Sequence, residues 1–281
     1  MDVYFAIVFF IFGTIIGSFL NVYIYRYNTG VTLSGRSKCF SCSKTINWYD
    51  LVPVLSFFFL RGRCRSCKSG LSFQYPTVEI ATGLLFFGVF LNNFQKDFSI
   101  LNSLIVALEL IIFSTLVIIV VYDIKHKIIP DVLVWVFGIF SLIRLILTIG
   151  FPALIHFHHI LDLFSGPIVA LPFFLLWLVS SGRWIGLGDA KLALGIGWFL
   201  GFSFAISGII IGFWIGAVVG LVLIGLAKLK QSKFLPKVLH SIGLRNFTVK
   251  SEIPFAPFLI LGLIIVYFSG VDVMGLSAFG I

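Results

Sequence analysis

The chain has 281 residues, of which 59% are hydrophobic and only 11% charged, with a mean hydropathy of +1.11. Soluble domains carry roughly a quarter of charged residues, so a water-soluble globule is excluded and a bilayer must cover the apolar surface. The formal net charge of +9 is read as Lys and Arg facing anionic lipid at the cytoplasmic surface, with no nucleic-acid partner.

Stretches of about twenty apolar residues, the length that crosses a bilayer, fall in order at roughly 3–24, 77–95, 99–122, 132–150, 163–181, 190–204, 205–227 and 254–273. The expected fold is therefore an all-α polytopic membrane protein with about eight transmembrane helices. The first span has no basic region before it and meets no small-residue cleavage site, so it reads as a retained helix and not a signal peptide. The sixth is short, with its turn into the seventh placed at about 204–205. If the N-terminus lies outside, eighteen of the 20 Lys and Arg residues fall on one face, leaving only Lys96 and Arg144. The positive-inside rule makes that face cytoplasmic and puts both termini outside.

The loop between the first two spans, about residues 25–76, contains Cys39-Phe40-Ser41-Cys42 and Cys64-Arg65-Ser66-Cys67, which hold every cysteine in the chain. Two such knuckles about twenty residues apart supply four thiolates that can close a tetrahedron on Zn²⁺. Disulfides are the alternative, but the cytosolic face is reducing. A closed four-thiolate site is structural, so its metal would fold the loop and take no part in chemistry. The expected domains are a first transmembrane helix (1–24), a zinc-binding loop (25–76) and a transmembrane core (77–281).

Gly13 and Gly17 in the first span, and Gly208, Gly212, Gly216 and Gly220 in the seventh, have the spacing that lets helix backbones approach closely in lipid. Between Lys228 and Lys250 the chain is basic, with Phe234, Leu235, Val238, Leu239 and Leu244 interspersed. That pattern suits either an amphipathic helix on anionic headgroups or a solvated loop.

An aspartate at the rim of a bilayer is costly to keep dry, which marks a functional site with a partner. Asp123 ends the third span within Tyr122-Asp123, and Asp189 opens the sixth within Gly186-Leu187-Gly188-Asp189. No functional assumption enters the topology, yet both acids fall at one depth on the cytoplasmic side. Two carboxyls held together cannot both ionise cheaply, so they share a proton, one acting as base and the other as acid. That is the apparatus of aspartyl peptide hydrolysis. Gly186 and Gly188 would leave the backbone open for substrate beside Asp189. Tyr122, Lys191 and Glu79 are accessory candidates near the same surface. The plainer alternatives are an N-cap for Asp189 and, for Asp123, pairing with Lys125 or Lys127. Asp131, after Pro130, reads as the N-cap of the fourth span. Glu109 lies about four turns from Asp123, roughly 20 Å along a helix, too far to join the pair; protonation and pairing with Arg144 are both open to it.

Taken together these stretches resemble the type IV prepilin peptidase family, the leader peptidase and N-methyltransferase of pilus, type II secretion and competence systems. The resemblance rests on Gly17-Ser18-Phe19-Leu20-Asn21-Val22 with Arg26, both cysteine pairs, Trp48-Tyr49-Asp50 and Leu60-Arg61-Gly62-Arg63-Cys64-Arg65. It extends through Tyr75-Pro76 with Glu79 and Thr82-Gly83, Asp123 with Ile129-Pro130-Asp131, Gly186–Leu192, and Ile253-Pro254-Phe255. Ala256 stands where the family usually has glycine. The resemblance implies that Asp123 and Asp189 are the catalytic pair and that Cys39, Cys42, Cys64 and Cys67 are the zinc ligands. It also implies a bacterial inner-membrane enzyme acting on prepilins or pseudopilins, whose short basic leader is cleaved after a glycine at the cytoplasmic face. The new amino terminus is then methylated from S-adenosylmethionine, and the cysteine loop points to the bifunctional branch of the family.

Two rival readings use the same acids. An intramembrane aspartyl protease of the presenilin or signal-peptide-peptidase type shares the Tyr-Asp and Gly-x-Gly-Asp pair but lacks the four-cysteine loop. An ion-coupled transporter would place the two aspartates nearer the bilayer midplane, commonly on broken helices.

Overall fold

The computed structural model describes residues 2–30, 32–93, 99–150, 157–231 and 253–276. Nine α-helices run through them: α1 Asp2–Arg26, α2 Leu55–Phe59, α3 Gln74–Asn93, α4 Ile100–His126, α5 Asp131–Ile149, α6 Phe157–Ser180, α7 Leu187–Leu200, α8 Phe202–Gln231 and α9 Ala256–Ser269. A 3-10 turn, Trp48–Leu51, precedes α2. Among the described residues the only β-structure is two isolated bridges, Lys38 with Thr45 and Arg63 with Gly70. Six helices, α1, α3, α4, α5, α6 and α8, are long and apolar enough to cross a membrane. The chain is an all-α, multi-pass membrane protein. The sixth and eighth expected spans correspond to α7 and α9, each of 14 residues. The basic segment expected between Lys228 and Lys250 lies, apart from the backbone of its first turn, outside the described residues, as does Lys96.

The chain divides into two compact units, Met1–Tyr122 with Ile146–Thr148, and Asp123–Leu145 with Ile149–Ile281. In the first, α1 lies along α3. A Cβ added at Gly13 would come within 2.8 Å of Gly83 Cα, and one at Gly17 within 2.8 Å of Glu79 Cα. The small residues thus let two backbones touch, which in lipid replaces the missing hydrophobic drive. Asn21 Nδ2 donates to the Tyr75 carbonyl at 3.2 Å, tying the lower end of the same pair.

In the second unit α7 packs on α6, where a Cβ at Gly197 would meet Gly166 Cα at 2.6 Å, and α9 packs on α8, where one at Gly212 would meet Phe258 O at 2.8 Å. Pro167 and Pro172 lie inside α6, as transmembrane helices tolerate when neighbours re-satisfy the freed carbonyls. The turn expected at about 204–205 falls earlier. Gly201 adopts φ +79°, and Phe202 N–H donates to Asp162 Oδ1 at 2.9 Å, so a carboxylate from α6 caps the start of α8. Arg144 is accommodated inside this unit. Its Nη1 donates to the Phe199 carbonyl at 3.0 Å and its guanidinium stacks 4.7 Å from the Phe199 ring, a cation over an aromatic face.

Candidate active site and candidate metal centre

Asp123 lies one turn before the end of α4. The helix stops because Lys127 takes φ +54° while its N–H donates to the Asp123 carbonyl at 2.7 Å, and Pro130 prevents resumption until α5. A left-handed conformation at a lysine costs on the order of 1 kcal/mol, spent beside the candidate acid. Asp189 is the third residue of α7 and not its opening one, as the sequence had suggested. Gly186 is the N-cap in extended backbone, and its N–H donates to Asp189 Oδ2 at 3.2 Å, the reach-back half of a capping box.

Both carboxyls are buried, at 4% and 8% exposure. They line one cavity of about 550 Å³, together with Asp131, Trp184, Phe213 and Phe255, and are near enough to influence each other electrostatically. The Ala256 N–H, at the start of α9, donates to the Asp123 carboxylate, adding the positive end of a helix to the site. Asp123 Oδ2 is buried and has no hydrogen-bond partner in the protein. A buried acceptor of this kind calls for an explanation, and the residue that carries it lines the cavity.

Of the accessory candidates, Lys191 donates from Nζ to Asp131 Oδ1 at 2.6 Å. That engages the carboxylate expected to cap α5. Tyr122 belongs to the first unit, where its ring meets Tyr27 edge-on at 5.3 Å. Glu79 also belongs to the first unit and lines a second cavity there. Phe213, Phe255 and the Ala256 amide are site features that the reading for chemical groups passed over; Pro257, at the first turn of α9, was the available sign that a helix N-terminus falls there.

The role of Gly188 is steric. A Cβ there would lie 2.9 Å from Ile129 Cβ, in the segment joining α4 to α5, whereas one at Gly186 would come no nearer than 3.4 Å to Asp189 Oδ2. Gly188→Ala is therefore expected to destabilise by about 1–3 kcal/mol through overpacking, and Gly186→Ala by less. Thermal melting of the two purified variants in detergent checks the order.

The four cysteines form a second site. Their sulfurs all lie within 4.8 Å of one another, and Cys39 Sγ is 3.8 Å from Cys67 Sγ. Zn–S bonds of about 2.3 Å in a tetrahedron require sulfur–sulfur edges of about 3.8 Å, so the donor set fits a metal ion. The two knuckles repeat each other. Cys39 and Cys64 each accept from the residue four positions on (Ser43 N at 2.9 Å, Lys68 N at 3.0 Å), and both of those residues have positive φ. Backbone N–H groups of Cys42 and Ser41 hold the Cys39 thiol down at about 6. Cys42 is pushed up to about 11: the Lys44 N–H favours its thiolate, but desolvation and the neighbouring cysteine sulfurs outweigh it. Four thiolates this close need a cation among them. Ser69 Oγ lies 3.1 Å from Cys67 Sγ and 3.8 Å from Cys39 Sγ, a second layer of support. Arg65 clamps Asp50 with Nε and Nη2 at 2.7–3.1 Å, tying the 3-10 turn to the second knuckle.

These features define a multi-pass helical membrane protein with a paired-aspartate cavity and a four-cysteine loop. Two family models match it: the bacterial peptidase A24 N-terminal domain over residues 11–93 and the type IV leader peptidase family over residues 110–221. Similar proteins include a prepilin leader peptidase/N-methyltransferase of Vibrio cholerae, 32% identical over 73% of this chain and 81% of the relative. Another of that description, from Bacillus subtilis, is 28% identical over 93% of each chain. A third, from Myxococcus xanthus, is 33% identical over 78% of this chain, which spans 63% of that relative. No solved structure matches. The chain belongs to the type IV leader peptidase family.

Proposed function

We propose that the chain is a prepilin leader peptidase and N-methyltransferase, with Asp123 and Asp189 as the catalytic pair. The convergence of these two carboxyls on one cavity, from helices 66 residues apart in sequence, carries the reading. One carboxyl, ionised, takes a proton from water as its oxygen attacks the scissile carbonyl; the other, protonated, gives its proton to the developing oxyanion. Collapse of the tetrahedral species breaks the C–N bond, and the leaving amine takes a proton. Asp189 would be held for this by Gly186, and Asp123 by Ala256. Family membership favours neither the presenilin-type protease nor the ion-coupled transporter.

The substrate would be a prepilin or pseudopilin whose basic leader rests at the cytoplasmic face of the inner membrane while its apolar helix stays in lipid. On this reading residues 25–76 form the segment organised by a structural Zn²⁺ bound to Cys39, Cys42, Cys64 and Cys67. Residues 77–281 carry the peptidase, both termini lie outside, and S-adenosylmethionine is the methyl donor. Incubating the purified protein with a prepilin and labelled S-adenosylmethionine is expected to give a product shortened by its leader and heavier by one methyl group at the new amino terminus. Mass analysis of the N-terminal peptide checks both steps, and an unprocessed prepilin would overturn the peptidase assignment.

A further inference from the structure

The loop between α1 and α3 turns a group of large apolar side chains outward. On α2, Leu55, Phe58 and Phe59 fall at i, i+3 and i+4, which is one face of a helix, and they are 56%, 64% and 83% exposed. Phe57 is buried, and its ring lies 5.3 Å from that of Phe73, itself 75% exposed. Single exposed apolar residues are ordinary, but a contiguous group marks an interaction surface. Phe73 immediately precedes Gln74, the first residue of α3, a helix long and apolar enough to cross a membrane. The group therefore sits where a spanning helix begins.

Cations flank it. The turn that ends α2 closes when the Gly62 N–H donates to the Phe57 carbonyl at 2.8 Å, with Arg61 at φ +52°. Arg61 and Arg63, on either side of that glycine, are exposed. The Gly62 carbonyl accepts the Leu71 N–H at 2.7 Å, so the segment that carries the second cysteine knuckle is tied to α2 and presents it. From residue 27 to residue 73 the sequence has seven Lys or Arg and one acid, Asp50, which Arg65 already clamps.

Apolar rings beside arginines at the rim of a bilayer match an anionic headgroup layer. The rings enter the boundary between headgroups and acyl chains, and the guanidiniums meet lipid phosphate. We propose that α2 and Phe73 dock the cysteine loop onto the anionic surface of the leaflet from which α3 enters the bilayer. A cationic surface does not suit the basic leader of the proposed substrate, whereas lipid phosphate complements it. Docking orients the loop along the membrane; the knuckles still owe their order to the metal. The proposal needs no step of the peptidase reading.

The test replaces Phe59 by p-benzoylphenylalanine, which on irradiation bonds to a C–H group within its reach, in the full-length protein reconstituted into nanodiscs. One set of discs contains phosphatidylcholine alone and another equal parts of phosphatidylcholine and phosphatidylglycerol, with zinc content as the fold check. Intact-mass analysis is expected to show the adduct of a single phospholipid, several-fold more abundant in the anionic discs. Adding Arg61→Gln and Arg63→Gln is expected to reduce it to the level in neutral discs. A crosslink to a second copy or within the chain, or protein left unmodified, overturns the proposal. So does an adduct that ignores both lipid charge and the two arginines. Should the replacement cost the protein its zinc, the same probe in place of Phe58 decides. Prepilin cleavage by the unmodified protein tests the peptidase reading separately, so either can fail alone.

Discussion

Asp123→Asn and Asp189→Asn are each expected to slow leader cleavage at least about 10³-fold, within the range that a positioned acid or base contributes. The double variant is expected to be scarcely slower than either single one, because residues that act as a unit lose their function together. Asn matches Asp in shape, and it can still accept the Ala256 N–H at position 123 and the Gly186 N–H at position 189. Both variants should therefore insert, bind metal and melt near wild type, so that the loss is chemical. The measurement is single-turnover cleavage of a prepilin by purified protein, read beside zinc content and melting temperature. Processing retained by both single variants would dissolve the pair, leaving Asp189 as a capping-box residue and Asp123 as a buried acid without a task.

What the sequence disclosed and what it concealed follow from the range of the interactions involved. The cysteine knuckles repeat at fixed local spacing, and their hydrogen bonds run from each cysteine to its own next turn, so chemistry and geometry coincide in a few residues. The two aspartates could be singled out for another reason: each stands at the edge of an apolar run, and the expected topology puts both at one depth. The amide that faces Asp123 belongs to Ala256, 133 residues further on, and only packing of the second unit puts it there. The start of α7 was misplaced because Gly186 and Gly188 suggest open backbone ahead of the helix. With Asp189 available to reach back to Gly186, the helix begins two residues ahead of the acid. Arg144 had no place in a count of interfacial cations, since its partners are a helix-terminal carbonyl and aromatic rings supplied by α7 and α9. Glu79 and Tyr122 lay close to the cytoplasmic boundary in sequence, and both fall in the first compact unit.

Replacing Cys42 or Cys64 by Ser is expected to release one zinc per chain and unfold the segment between α1 and α3. The reason lies in what that segment buries. Among its described residues from Tyr27 to Tyr75 only Cys39 and Phe57 are buried, and two side chains cannot offset the entropy of ordering nearly fifty residues at about 1–2 kcal/mol each. A structural Zn²⁺ site supplies apparent stabilisation of about 10–16 kcal/mol in small domains, and domains of that kind are unfolded without their metal. Acid should act in the same direction. Ligation needs the thiolates, so protons compete with Zn²⁺ for all four sulfurs and zinc loading falls as pH is lowered. Metal analysis and limited proteolysis, run on the variants and on wild-type protein from pH 8 to pH 5, read both effects. Zinc and protease resistance should disappear together, cleavage appearing within residues 27–73 while the spanning helices stay intact. A purified wild-type chain that contains no metal and yet resists protease in this segment would refute the site, because nothing else in the loop could then account for its order.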